Sequence, residues 1–177
     1  LISNDSEKIQ LARKLATQAR DDAPHYQHSM IGYNYRMSNI CAGIGRGQME
    51  VLNERIQQRR ANFERYLKIF EEIGWNAEFQ NEREGVFANR WLSAFYFDPE
   101  VFGQNFREEL RLFLETLNIE SRPLWKPMHL QPVYEGCQYF GKGNTAEKIF
   151  DFGLCLPSGS NLTKEEWDRI ENALIEF

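Results

Sequence analysis

Two short segments of this chain carry residue types that can do chemistry. The first is Gly32-Tyr33-Asn34-Tyr35-Arg36-Met37-Ser38. The Asn34 carboxamide offers N–H donors that suit a phosphate oxygen shielded from water. Tyr33 and Tyr35 can wall such a site, and Arg36 can bind an anion or an internal carboxylate. The same residues also suit a plain turn ahead of a helix, and spacing does not separate the two readings. The second segment is Arg122-Pro123-Leu124-Trp125-Lys126-Pro127-Met128-His129. Its prolines fix the backbone, while Trp125, Lys126 and His129 offer a flat apolar face, a cation and a neutral donor. That set suits a sugar and a diphosphate, and equally a rigid surface loop.

Other combinations are poorer. His25 and His28 supply too few ligands for zinc, and no metal site is expected. Ser29, His28 and Cys41 lack a nucleophile-elbow context. Gly43, Gly45 and Gly47 are spaced like a phosphate loop but lack the strand and turn that such a loop needs. As small residues they would instead let another backbone approach. Asp21-Asp22 and Glu108-Glu109 read as solvated charge, and His25 and His28 as surface-loop residues. Cys41, Cys137 and Cys155 are odd in number and widely spaced, so they read as free thiols in a reducing cytoplasm. The sequons at Asn4 and Asn161 read as helix-start signals.

Stepped helices and short strands must position these groups. Leu1 to Asp5 reads as the end of a strand without an initiator Met, as if cut from a longer chain. Ser6 is expected to cap a helix through about Arg20, with Ile9, Ala12, Leu15, Ala16 and Ala19 on one face. A polar loop follows from Asp21 to Met30. Ser38 is expected to cap one long helix that stops at Gly74. Its apolar stripe runs from Ile40 and Ile44 through Val51, Phe63 and Phe70 to Ile73. Arg90 to Phe97 alternates as a strand, with Trp91, Ser93, Phe95 and Phe97 facing one way. Phe102 to Leu117 marks a helix, Ile119 to Arg122 a short strand, and Trp75–Phe79 and Leu154–Leu156 two more. Thr163 and Glu166 form a capping box for a last helix that buries Trp167, Ile170, Leu174 and Phe177. The pattern is α+β, with helices packed on a small antiparallel sheet.

Composition narrows the functions. A chain of 177 residues can bury roughly 70% of its unfolded surface. The 26 acidic against 21 basic residues, a net charge of −5, disfavour nucleic acid as a partner. No apolar run approaches the ~20 residues of a bilayer span, and no secretory leader is expected.

Three segments taken in order, GYNYRMS, RPLWKPMH and LCLPSGSNLT, resemble signatures of the DegT/DnrJ/StrS family of sugar aminotransferases, which use pyridoxal phosphate (PLP). The resemblance implies the C-terminal small domain of a fold-type I PLP-dependent transferase, spanning residues 38–177. Residues 1–37 would be the tail of the large domain and an interface loop. It further implies that Asn34 binds the cofactor phosphate of a neighbouring subunit in a homodimer. Arg122, Trp125, Lys126 and His129 become candidate substrate contacts, and the LCLPSG turn becomes structural. Gln48 and Arg59-Arg60 fit the family's helix pattern, while Cys41 to Gly47 departs from its usual alanine and leucine. The Schiff-base lysine and the acid on the pyridine nitrogen would lie before Leu1. Lys8, Lys14, Lys68, Lys126, Lys142, Lys148 and Lys164 lack the family's surrounding sequence, so no catalytic residue is expected here. The implied parent is a cytoplasmic aminotransferase of polysaccharide biosynthesis, acting on a nucleotide-linked keto sugar with glutamate as donor. The piece alone would be inactive. Two alternatives are a PLP-dependent sugar dehydratase with histidine at the lysine position, and a non-catalytic regulatory domain on the same scaffold.

Overall fold

A computed structural model describes residues 2–141 and 143–177. Leu1, part of the expected strand end, lies outside the described residues, and 2–5 form no strand. The chain divides into two compact units, Leu1–Val51 and Leu52–Phe177.

The first unit holds α1 (Ser6–Ala16) and α2 (Asn39–Glu50). Asp5, not Ser6, caps α1, its carboxylate accepting from the N–H groups of Glu7 and Lys8. A carboxylate also complements the positive helix end, which a serine hydroxyl cannot. The helix stops at Ala16, short of Arg20, because Gln18 and Ala19 take the left-handed conformation (φ 66° and 51°) and reverse the chain. Ser38 caps α2 as expected, its hydroxyl accepting from the N–H of Cys41.

The single helix expected from Ser38 to Gly74 is interrupted. Val51 sits at φ −107° and ψ 3°, outside the helical well, and its N–H turns to Met49 O. A β-branched side chain at that junction is stiff and a weaker helix former than its neighbours. The second segment, α3 (Leu52–Ile73), belongs to the second unit and ends at Gly74 in the left-handed conformation, φ 77°.

The second unit is a three-stranded antiparallel sheet with helices around it. β1 (Ser93–Tyr96), β2 (Arg122–Pro123) and β3 (Gly153–Leu156) lie in the order β1-β3-β2. Ser93 faces Leu156 and Arg122 faces Cys155. The expected strand over Trp75–Phe79 reduces to one bridge, Glu78 with Tyr96. The helix expected from Phe102 splits at Gly103 into α4 (Pro99–Phe102) and α5 (Phe106–Thr116). One helix went unexpected: α6 (Thr145–Phe152) has no side-chain cap and passes straight into β3. The last, α7 (Lys164–Glu176), starts on the predicted Thr163–Glu166 capping box.

The core of this unit is aromatic. Phe95 stacks on Phe63 at 5.4 Å between centroids and meets Phe70 edge-on at 4.8 Å. Tyr66 packs on Trp167 at 5.0 Å and donates its buried hydroxyl to Pro157 O at 2.7 Å. Burial pushes that phenol well above its usual range. Arg65 ties α3 to α7, binding Glu171 at 2.6 Å and lying over the Trp167 ring. Phe177, expected in the core, is partly exposed yet packs on Phe106 and Phe113. Glu108, expected as solvated charge, is held by Arg111 first and then Arg107, which keep its carboxyl below the usual range.

Candidate functional site

In the first unit, Asn34 is placed by the end of α1. The Tyr33 N–H donates to Leu15 O at 2.7 Å, and the Tyr35 N–H to Ala16 O at 3.1 Å. In return, the Gln18 N–H donates to Tyr33 O at 2.9 Å. This close approach explains Gly32. A Cβ there would sit 2.3 Å from Ala19 N and 2.4 Å from Gln18 C, so no other residue fits without moving the chain. Tyr33 and Tyr35 do not flank Asn34 as expected. Their rings stack on each other, 5.0 Å apart and 16° from parallel. Alternation along an extended segment therefore leaves the Asn34 side chain on the opposite face. That carboxamide is exposed and hydrogen-bonds to no side chain or backbone group among the described residues.

The loop leading into this segment is pinned by Asp21, whose charge is paired and not simply solvated as expected. Its carboxylate accepts from Lys14 Nζ at 2.6 Å, Ser29 Oγ at 2.9 Å and Gln27 Nε2 at 3.4 Å. Lys14 first, then Ser29, hold the Asp21 carboxyl down to about 2. His28 meets Gln18 O through Nδ1 at 2.9 Å, and His25 meets Gln27 at 3.2 Å. Both histidines are engaged in loop contacts, and no metal-binding cluster occurs among the described residues.

In the second unit, β2 and the segment after it gather Arg122, Trp125, Lys126 and His129. Arg122 is paired with Glu120, the Nε contact being 2.7 Å. Trp125 is 67% exposed and lies 6.3 Å from Trp91 at a 48° tilt. Lys126 is exposed and forms no ion pair among the described residues. His129 is occupied: Nε2 contacts Glu147 Oε1 at 2.8 Å, and the ring stacks on Tyr139 at 3.9 Å. The Glu147 carboxyl is held below its usual range, first by its own backbone N–H and then by His129. His129 thus fastens the segment to α6. Asn34 and this segment belong to separate units.

Sequence reasoning missed Trp91, Tyr139 and Glu147. The alternation places Trp91 on one face with Ser93, Phe95 and Phe97, but β1 begins at Ser93 and Trp91 is 60% exposed. Two prolines and an aromatic upstream gave no signal for Glu147, because its helix was itself unread. The cysteines are free thiols, with Cys155 buried and its thiol pushed up by that burial. Among the described residues no helix is long and apolar enough to cross a membrane. Lys142 lies outside the described residues.

Comparison with known proteins agrees with these motifs. The model of the DegT/DnrJ/EryC1/StrS aminotransferase family matches residues 1–175. A Bacillus subtilis protein named as a pyridoxal phosphate-dependent aminotransferase, EpsN, is 43% identical over 184 residues, covering 100% of this chain and 45% of its own. GDP-perosamine synthase of Vibrio cholerae is 31% identical, covering 100% of this chain and 47% of its own. The crystal structure of the aminotransferase TlmJ from Streptoalloteichus hindustanus superposes with a TM-score of 0.78 at 21% identity, over 98% of this chain and 45% of that one. The chain thus spans about half the length of the relatives it matches. On this match, with the three motifs in order, the chain belongs to the DegT/DnrJ/EryC1/StrS aminotransferase family.

Proposed function

We propose that this chain is the C-terminal part of a PLP-dependent aminotransferase that moves an amino group from glutamate to a keto sugar carried on a nucleotide. The observation that carries this is Asn34. Its carboxamide is free among the described residues, faces away from the stacked tyrosines, and rides on a segment clamped by the α1 backbone. A free amide on a rigid backbone fits a phosphate oxygen, since little ordering remains when the anion arrives. When bound, PLP supplies an electron sink for breaking bonds at the amine carbon.

The roles of the chain's own residues follow. Asn34 donates to the cofactor phosphate of a neighbouring subunit in a homodimer. Trp125 offers the substrate an apolar face, and Lys126 and Arg122 offer cations for its diphosphate. His129 serves that surface indirectly, by holding the segment to Glu147 and Tyr139. The lysine that carries PLP belongs to the rest of the protein.

The test uses the full-length protein. PLP is added, the adduct is trapped with borohydride, and the modified peptide is mapped. A labelled lysine preceding this chain is the expected result. A failure to trap PLP on any lysine would remove the aminotransferase reading and favour the histidine-type dehydratase. A label on Lys14 or any other lysine of this chain would also overturn it.

A further inference from the structure

Trp91 is held by an unusual number of constraints for a residue whose side chain is 60% exposed. Its carbonyl accepts from two donors, Arg59 Nη1 and Ser158 Oγ, the latter at 3.1 Å. Arg59 is itself fixed by Ser158 O at 3.2 Å. The Trp91 N–H is taken by Asn89 Oδ1 at 3.0 Å. The preceding residue, Arg90, is left-handed at φ 49°, a strained conformation for a residue with a Cβ. Arg90 is anchored there by Gln80 O at 2.9 Å and by the Phe63 ring 4.1 Å below its guanidinium. Strained backbone persists only where surroundings over-determine it, and such places cluster at binding sites.

The constraints aim the indole at Trp125. The two rings sit 6.3 Å apart at 48°, open toward solvent, with Lys126 next in sequence to Trp125. A pair of large exposed indoles is apolar surface that calls for an occupant. A flat aromatic ring joined to a diphosphate matches an indole face beside a cation.

We propose that Trp91 is a further substrate-binding residue, forming with Trp125 an exposed aromatic platform on which the nucleobase stacks, and that Arg59 and Ser158 are the positioning residues that fix its backbone. This rests on the nucleotide-sugar reading above. It also gives the Pro157-Ser158-Gly159 turn a second task besides leading into α7: Ser158 is buried and reaches Trp91 from the far end of β3.

The test is calorimetric titration of the full-length, PLP-loaded protein with GDP, UDP and inorganic pyrophosphate separately. Trp91→Ala is expected to weaken the better-bound nucleotide roughly 5- to 150-fold, the usual loss for a base–aromatic stack. Pyrophosphate affinity is expected to stay unchanged. Trp91→Phe should recover most of the loss, and Ser158→Ala should fall between wild type and Trp91→Ala. Three results overturn the proposal: equal nucleotide affinity in Trp91→Ala and wild type, an equal loss for pyrophosphate, or no binding of either nucleotide by wild type. Trp91→Leu, which keeps apolar bulk but has no aromatic face, keeps the test valid if the alanine variant fails to fold: it should lose nucleotide affinity and keep that for pyrophosphate, and wild-type nucleotide affinity in it would overturn the proposal. Conversion of wild-type PLP by glutamate is read separately. Its failure alongside an intact Trp91 effect would remove the aminotransferase reading and leave the platform assigned.

Discussion

The two units are built around comparable helices and treat them in opposite ways. On α3, Phe63, Tyr66, Ile69 and Phe70 are buried against β1 and α7. On α2, Ile40, Ile44 and Met49 are exposed, Ile40 by 77%, and no residue of the helix is buried. Gly43, Gly45 and Gly47 are equally unconstrained, since an added Cβ at each would meet nothing within 4 Å. An amphipathic stripe thus gives a core only where a second surface is supplied to match it. The second unit supplies its own. The first does not, although its turn around Gly32 is tightly built. A helix with a free apolar stripe and small residues suits docking of another backbone, in line with the proposed homodimer.

Phe95→Ala should sharpen this contrast most. It removes a fully buried ring that contacts Phe63, Tyr66 and Phe70, at a cost of about 3–5 kcal/mol in chemical denaturation. Hydrogen exchange should then rise throughout α3 and α7 while the Tyr33–Leu15 bond stays protected. Loss of protection in both regions together would mean that the units fold as one.

Gly32→Ala should have the complementary effect at about 1–3 kcal/mol, since the new methyl must displace the Gln18–Ala19 backbone. Protection of the Tyr33 and Tyr35 N–H groups should drop with α3 unaffected. A crystal structure of the variant with the clasp intact would contradict the packing account. Thr163→Ala should cost about 1 kcal/mol, confined to the start of α7, because it removes one half of a capping box.

The smallest effect is that of acid on the Asp21 cluster. The folded carboxyl titrates at about 2, below its ordinary value of 3.8. A depressed acid contributes stability above its unfolded value and loses it as pH falls through the folded one. Exchange at Asp21 to Tyr35 should therefore accelerate between pH 4 and pH 2, and Asp21→Asn should flatten that dependence. An identical profile in the variant would assign the acid response elsewhere.

Much of the second unit was legible because its signals are local. The alternation of Ser93, Phe95 and Phe97, the Thr163–Glu166 box and the Gly74 stop each act within a few residues. The break at Val51 was not legible, since the apolar stripe continues across it and only backbone geometry marks it. Trp91 was misread for a related reason. Period-2 spacing reaches it, but Arg90, one residue before it, is left-handed, and the regular strand begins only at Ser93. The Asp21 hub joins residues seven and eight apart through a loop, a pattern that no periodicity reports. Asn34 was singled out by its motif. Its stance opposite the tyrosine pair came only from the ring geometry.

The most direct test is the PLP affinity of the full-length protein carrying Asn34→Ala. A hydrogen bond to a charged phosphate contributes about 1.5–3 kcal/mol, so the dissociation constant for PLP should rise roughly 10- to 150-fold. Thermal melting of the second unit should be unaltered. Unchanged PLP affinity in that variant would contradict the assignment of Asn34 to the cofactor phosphate.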